Sequence, residues 1–251
     1  YGDTVGFNAV YVGAKGMTLD VADTYSWGPK WTSPIRSEPG VTDGGIDIVG
    51  KYGGENLQWH SARVRFATDD IDLSGGIRVH GAGVAFGGGE FKVPFTFDGD
   101  SFIHNYADTV LDKLVFSGRR MHLNLGYSGT DANATLPLLT LRSFTPPHSE
   151  VTLALFNGDG TTFTTVKGTF DILKFPASVA LGAKDMRVAN NTAARYVFSE
   201  RIENGMKIIT ITVADGPGEV SGDDPRESDA WQSGVQPWCI GPWMYVYGGS
   251  S

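Results

Sequence analysis

The sequence predicts an all-β chain, an antiparallel β-sandwich or jelly-roll-like fold with one or two short helices and long loops. Three observations carry this expectation. Apolar and polar residues alternate in many short runs, those runs are bounded by Gly, Pro, Asn or Asp, and helical spacing is rare. Composition agrees: 34 glycines and 12 prolines in 251 residues punctuate the chain often, and 41% hydrophobic residues suffice for a sizeable core.

The elements follow in order. Over 58–66, Ala62, Val64 and Phe66 share one face, and Trp59, Ser61, Arg63 and Arg65 share the other. Ile77 and Val79 alternate with Arg78 and His80. Phe91, Val93, Phe95 and Phe97 alternate with Glu90, Lys92, Pro94 and Thr96. Met121, Leu123 and Leu125 alternate with Arg120, His122 and Asn124, and Val151, Leu153 and Leu155 repeat the pattern. Asn204-Gly205 lies between two β-rich runs, 195–203 and 206–213, and supplies the positive φ values of a type I′ turn. That pair predicts an antiparallel hairpin.

Helical spacing occurs over His104–Leu114, where Tyr106, Val110, Leu111 and Leu114 recur and Asn105 is placed to cap. A second short helix is expected over Lys184–Ala194. The stretches 24–45 and 214–234 fit no period and read as loops, and 242–247 reads as a terminal strand. The whole chain, 1–251, reads as one domain. An echo of Gly89-Glu-Phe91-Lys-Val93 in Gly168-Thr-Phe170-Asp-Ile172 suggests a weak internal duplication around 57–97 and 136–175.

Charge narrows the partners. Lys plus Arg total 20 against 28 Asp plus Glu, a net charge of −8, so nucleic acid is not expected as the main direct ligand. No apolar run reaches the roughly 18 residues of a membrane-spanning helix. One cysteine, Cys239, cannot form an internal disulfide. Few lysines with many Gly, Thr and aromatic residues point to an extracellular or virion-surface location.

Catalytic signatures are missing: there is no nucleophile elbow, His-Glu-x-x-His, Walker loop or Cys-x-x-Cys. His60, His80 and His122 lie in three expected strands, but His60 sits on the apolar side of its strand, which argues against a simple zinc site. No cofactor is implied. Asp69-Asp70-x-Asp72, Asp223-Asp224 and the Asn157–Thr161 turn carry oxygen ligands of the kind calcium takes, without the spacing of a calcium loop.

Trp59, Arg63 and Arg65 form the best candidate face for a sugar or anion, extended by Arg78 and His80 if the next strand pairs alongside. An indole stacks on a sugar ring, and guanidiniums hold a carboxylate or sulfate bidentately. The alternative for the same residues is a polar outer face tied by cross-strand Arg–Asp pairs. Trp238, Trp243, Tyr245 and Tyr247 form a candidate assembly interface, because a half-buried aromatic strand can pair with a neighbouring subunit. These observations predict a non-enzymatic structural subunit of a larger assembly, a virion capsid or appendage or an extracellular filament, that associates with itself or with other structural subunits. A carbohydrate-binding module for acidic glycans is the alternative. So is a polysaccharide-acting enzyme such as a lyase, with His60 or His80 and a tyrosine beside Arg63 and Arg65.

Overall fold

The computed structural model describes residues 4–5, 7–21, 29–50, 63–98, 101–118, 120–126, 135–156, 167–188 and 194–215. Those residues are all-β, but the sheets are mostly parallel, which overturns the antiparallel sandwich or jelly roll. The chain winds as a solenoid with three faces. The first face is an eight-stranded parallel sheet of β1 (Thr4–Val5), β4 (Lys30–Trp31), β7 (Arg63–Phe66), β10 (Gly83–Phe86), β13 (Phe102–Asn105), β16 (Arg120–Gly126), β19 (Glu150–Phe156) and β21 (Met186–Val188). The second begins with β2 (Val10–Val12), β5 (Ile35–Ser37) and β8 (Ile71–Asp72). It resumes as a separate sheet with β11 (Gly89–Phe91), β14 (Thr109–Leu111), β17 (Leu139–Leu141) and β20 (Gly168–Pro176). The third stacks β3 (Met17–Asp20), β6 (Ile46–Val49), β9 (Ile77–His80), β12 (Phe95–Asp98), β15 (Leu114–Phe116) and β18 (Phe144–Thr145). Each of the first six coils takes one strand from each face. Period-2 alternation is satisfied equally by such a coil, where one set of side chains points into the core and the other outward.

Inward side chains stack in columns from coil to coil. On the first face Val64, Val84, Ile103, Leu123 and Leu153 stand in register. On the third, Ile46, Ile77, Phe95, Leu114 and Phe144 do the same. Phe66, Phe86, Phe91 and Phe95 meet edge to face at the centre, with Phe86–Phe91 centroids 4.9 Å apart and Phe86–Phe95 5.2 Å. All four are fully buried.

The parallel run ends where β20 pairs antiparallel with β23 (Met206–Asp215), which pairs antiparallel with β22 (Ala194–Glu203). The expected hairpin is present, with Asn204 at φ 51° and Gly205 at φ 74°. Neither expected helix forms among the described residues. His104–Leu114 runs from the end of β13 through β14 into β15, because coil corners return apolar residues inward at spacings that imitate a helix. The described part of the segment from Lys184 belongs to a 3-10 turn, Ala183–Asp185, and to β21, and residues 189–193 lie outside the described residues. The stretch 24–45 is not wholly irregular: it holds β4 and β5, and Trp31 and Ile35 are core. The expected loop beyond Asp215 and the terminal strand at 242–247 lie outside the described residues.

One corner shows how tightly the coils stack. Gly16, Gly45 and Gly76 precede β3, β6 and β9, with φ of 75°, 77° and 74°. A Cβ on Gly45 would stand 2.5 Å from the Gly76 carbonyl oxygen, so only glycine meets both the conformation and the spacing. Buried Asp43 fastens this corner. Its carboxylate accepts from the Ser37 hydroxyl (2.6 Å), the Ser74 hydroxyl and N–H (2.8 and 2.7 Å) and the Gly45 and Gly75 N–H groups (2.7 and 3.0 Å). Burial alone would raise its pKa, but the hydroxyl and amide donors win and hold it well below the ordinary carboxylate value.

Asp43→Ala would leave several buried donors without an acceptor and is expected to cost about 3 kcal/mol or more in urea unfolding. The depressed pKa also fixes a sign. The carboxylate's contribution is complete above the unfolded-state value near 3.8 and is lost as the pH falls below it. Asp43→Asn should therefore flatten the acid limb of a Tm-versus-pH curve below about pH 4, and an unchanged limb would contradict the assignment.

Candidate functional site

The solenoid divides the candidate anion face in two. Arg63 and Arg65 point outward from β7 on the first face, whereas Arg78 and His80 point outward from β9 on the third. They belong to different sides of the coil and do not converge. Trp59 and His60 lie outside the described residues, as do Trp238, Trp243, Tyr245 and Tyr247.

Arg78 and His80 are taken up by coil-to-coil contacts. Arg78 stands opposite Asp47 in register and donates to both its oxygens, Nε to Oδ1 at 2.5 Å and Nη2 to Oδ2 at 3.0 Å. Its remaining donors reach the carbonyls of Gly75 and Gly44 at 3.1 and 2.8 Å. That guanidinium lowers the Asp47 pKa against the opposing effect of burial. His80 stands opposite Asp98 on the next coil, with Nδ1 2.6 Å from Oδ2, and its Nε2 is 3.6 Å from Asp47. On the second face Arg142 joins Glu90 and Asp112 at 2.6 and 2.5 Å. The cross-strand Arg–Asp alternative is thus the arrangement found on this part of the surface.

The first face is different. Its outward row crosses β7, β10, β13 and β16 through Arg65, Ala85, His104 and Asn124. Beside it runs Arg63, Gly83, Phe102 and His122. Gly83 lies under the Phe102 ring, where a Cβ would come within 2.2 Å of it. Arg63 and His104 are fully buried, and Asn124 is nearly so. Arg63 donates from Nη1 to Nδ1 of His104 at 2.6 Å, so that nitrogen is the acceptor and the neutral ring carries its proton on Nε2. The His104 ring stacks on Tyr106 at 4.2 Å and 18°, and the Arg65 guanidinium lies 5.2 Å from the Tyr106 centroid. Burial pushes Arg63 below its ordinary pKa and nearby Arg65 adds to this, while Tyr106 opposes it.

This cluster has the residue types of a proton-abstracting site, a histidine and a tyrosine beside two guanidiniums. Its geometry points elsewhere. The lone pair a base needs at Nδ1 already accepts from Arg63, with the Tyr106 hydroxyl 3.3 Å from the same atom. Sequence reasoning missed His104 and Tyr106 because it read them as the start of a helix; the alternation of Phe102, His104 and Tyr106 around Ile103 and Asn105 was the available signal.

Charge is sorted on this face. Its outward positions carry Lys30, Arg63, Arg65, Arg120 and Arg187 against Glu150, which pairs with Arg120 at 2.5 Å. Neither Lys30 nor Arg65, neighbours in register, has an ion-pair partner among the described residues.

His80 and His122 sit on different faces, and among the described residues no three His, Cys, Asp or Glu side chains converge as a metal site. Asp69 accepts from the Glu90 N–H at 2.8 Å and Asp70 pairs with Arg36 at 2.5 Å, at the edge of an open depression also lined by Asp72 and Lys92. No helix is long and apolar enough to cross a membrane. Compared with protein-family models, curated proteins and solved structures, the chain matches none.

Burial, with a smaller effect of Arg120, pushes the His122 pKa down to about 4. The unfolded chain therefore binds the proton more tightly, and this residue costs stability as the pH falls from about 6.5 toward 4. His122→Gln should remove that part of the pH dependence of Tm, with little change at pH 8. An identical profile for both proteins would contradict the buried neutral ring.

Proposed function

We propose that this chain is a non-enzymatic structural solenoid, a subunit of an extracellular or particle-surface assembly. The observation that carries the reading is how its charges are used. Arg78–Asp47, Arg142–Asp112 and Arg120–Glu150 each bridge neighbouring coils, as does the His80–Asp98 hydrogen bond, and Arg142–Glu90 spans two coils. A solenoid that spends its ionic groups along its axis behaves as a stiff rod, and stiffness is what a spacer or shell subunit requires. The occupied acceptor of His104 supports the same reading, since it removes the best-placed base from service.

Light scattering of the full chain should then give a native mass well above 26.9 kDa, rising with concentration. A strictly monomeric species across the concentration range would reject assembly through self-association.

A second reading is favoured by the sorted charge of the first face. Lys30 and Arg65 stand one strand spacing apart, about 4.8 Å, and suit the carboxylates or sulfates of an acidic glycan. Because Tyr106 is stacked between His104 and Arg65, recognition there runs through charge rather than through ring stacking. Arg65→Ala should weaken binding of a uronate polymer at low salt, and Arg78→Ala should not. Equal effects of the two substitutions would remove the first face as the site.

A further inference from the structure

We infer that Arg63, His104 and Tyr106 form a support that holds the Arg65 guanidinium in place, and that Arg65 and Lys30 together take the three free oxygens of a sulfate ester on a glycan. This rests on the acidic-glycan reading above and names the group that would be recognised.

The support is a chain of contacts rising from the sheet. Arg63 is fully buried and donates from Nη1 to Nδ1 of His104 at 2.6 Å. The His104 ring, also fully buried, stacks on Tyr106 with centroids 4.2 Å apart and an angle of 18°. The Tyr106 hydroxyl stands 3.3 Å from the same Nδ1, which ties the phenol to the ring beneath it. Tyr106 is half-buried, and the Arg65 guanidinium rests over its ring, 5.2 Å from the centroid. A planar cation settled on a fixed ring loses less freedom on binding than a free side chain does.

The charge at the top of this support is unmatched. Lys30 stands opposite Arg65 in register, one strand away. Like charges directly opposite destabilise a ladder. Neither side chain forms a hydrogen bond or ion pair among the described residues. Both are half-buried, where water and salt screen them less than on an open surface. Arg63 beneath adds positive charge and acts on Arg65 as a like charge. On the other two faces Arg78 has Asp47 and Arg142 has Asp112. The cations of the first face instead await an anion from outside.

Geometry selects the anion. Arg65 Nε is buried without an acceptor, so the edge made by the two terminal nitrogens is the one that faces a ligand. That edge holds two oxygens of one group side by side. Lys30, a point charge about 4.8 Å away along the stack, is served by a third oxygen of the same group. A carboxylate has only two oxygens, and a nucleic-acid phosphodiester has only two free ones. A sulfate ester has three and satisfies both cations at once.

Binding of the full chain at low salt to dextran sulfate, polygalacturonate and single-stranded DNA tests this. Dextran sulfate should bind about tenfold or more tighter than the other two at equal charge concentration. Lys30→Ala should bring it down to the level of polygalacturonate. Arg65→Lys, which keeps the charge and loses the fork, should do the same. Tyr106→Leu leaves the charges untouched and should weaken dextran sulfate about tenfold, whereas Tyr106→Phe, which keeps the ring, should restore most of the affinity. Equal binding of dextran sulfate and polygalacturonate, both weakened by Arg65→Ala, would overturn the sulfate assignment while leaving the acidic-glycan reading standing. DNA that binds as tightly as dextran sulfate would overturn the three-oxygen argument. Affinity unmoved by Tyr106→Leu, or not restored by Tyr106→Phe, would overturn the support. Affinity for every polymer unmoved by Arg65→Ala would overturn the inference and the reading together.

Discussion

Vertical register between coils is the constraint on which the rest of this structure depends. In a parallel solenoid each strand's backbone groups are satisfied by the coils on either side, so a slip of one residue would turn a whole inward column out to solvent. The columns through Val64 and through Ile46 resist that slip by burial. The corner at Gly16, Gly45 and Gly76 resists it by contact, since the coils approach too closely there for a side chain. Asp43 ties the same corner with donors from two coils at once. Ion pairs such as Arg78–Asp47 are half-exposed and individually weak. Their contribution is directional: each pairs residues directly opposite or nearly so, and so favours the register the core already sets.

Much of the local structure was legible in the sequence. Val64 and Phe66 point inward and Arg63 and Arg65 outward, as the alternation requires, and Asn204-Gly205 makes its hairpin. Strand direction was not legible. A strand buried on one side alternates in the same way whether its neighbour runs parallel or antiparallel, and the connections between coils differ enough in length to blur a sequence repeat. The His104–Leu114 stretch shows a second limit. Three-residue strands separated by sharp corners return apolar residues inward at three- and four-residue intervals, which is the signature of a helix.

The candidate site was legible in chemistry and not in place. A histidine and a tyrosine do stand beside Arg63 and Arg65, but they are His104 and Tyr106, two coils along, rather than His60 or His80. Arg78 and His80 follow closely in sequence, yet the coil turns between β7 and β9 and carries them to another face. Neighbours across a solenoid sheet are separated by a full coil, so proximity in sequence is a poor guide to proximity on its surface.

The hairpin of β22 and β23 bears on how such a chain reaches its fold. Every parallel pairing requires a whole coil of chain to be closed before its first hydrogen bond forms, and that search slows folding. The Asn204-Gly205 turn brings its two strands together at once, on the order of microseconds for a hairpin. Its partner β20 belongs to the last coils, which makes the hairpin a ready template on which the parallel stack can grow back toward β1. Among the described residues this hairpin follows the parallel coils in sequence, so the coils are synthesised before the local contact best able to seed their stacking.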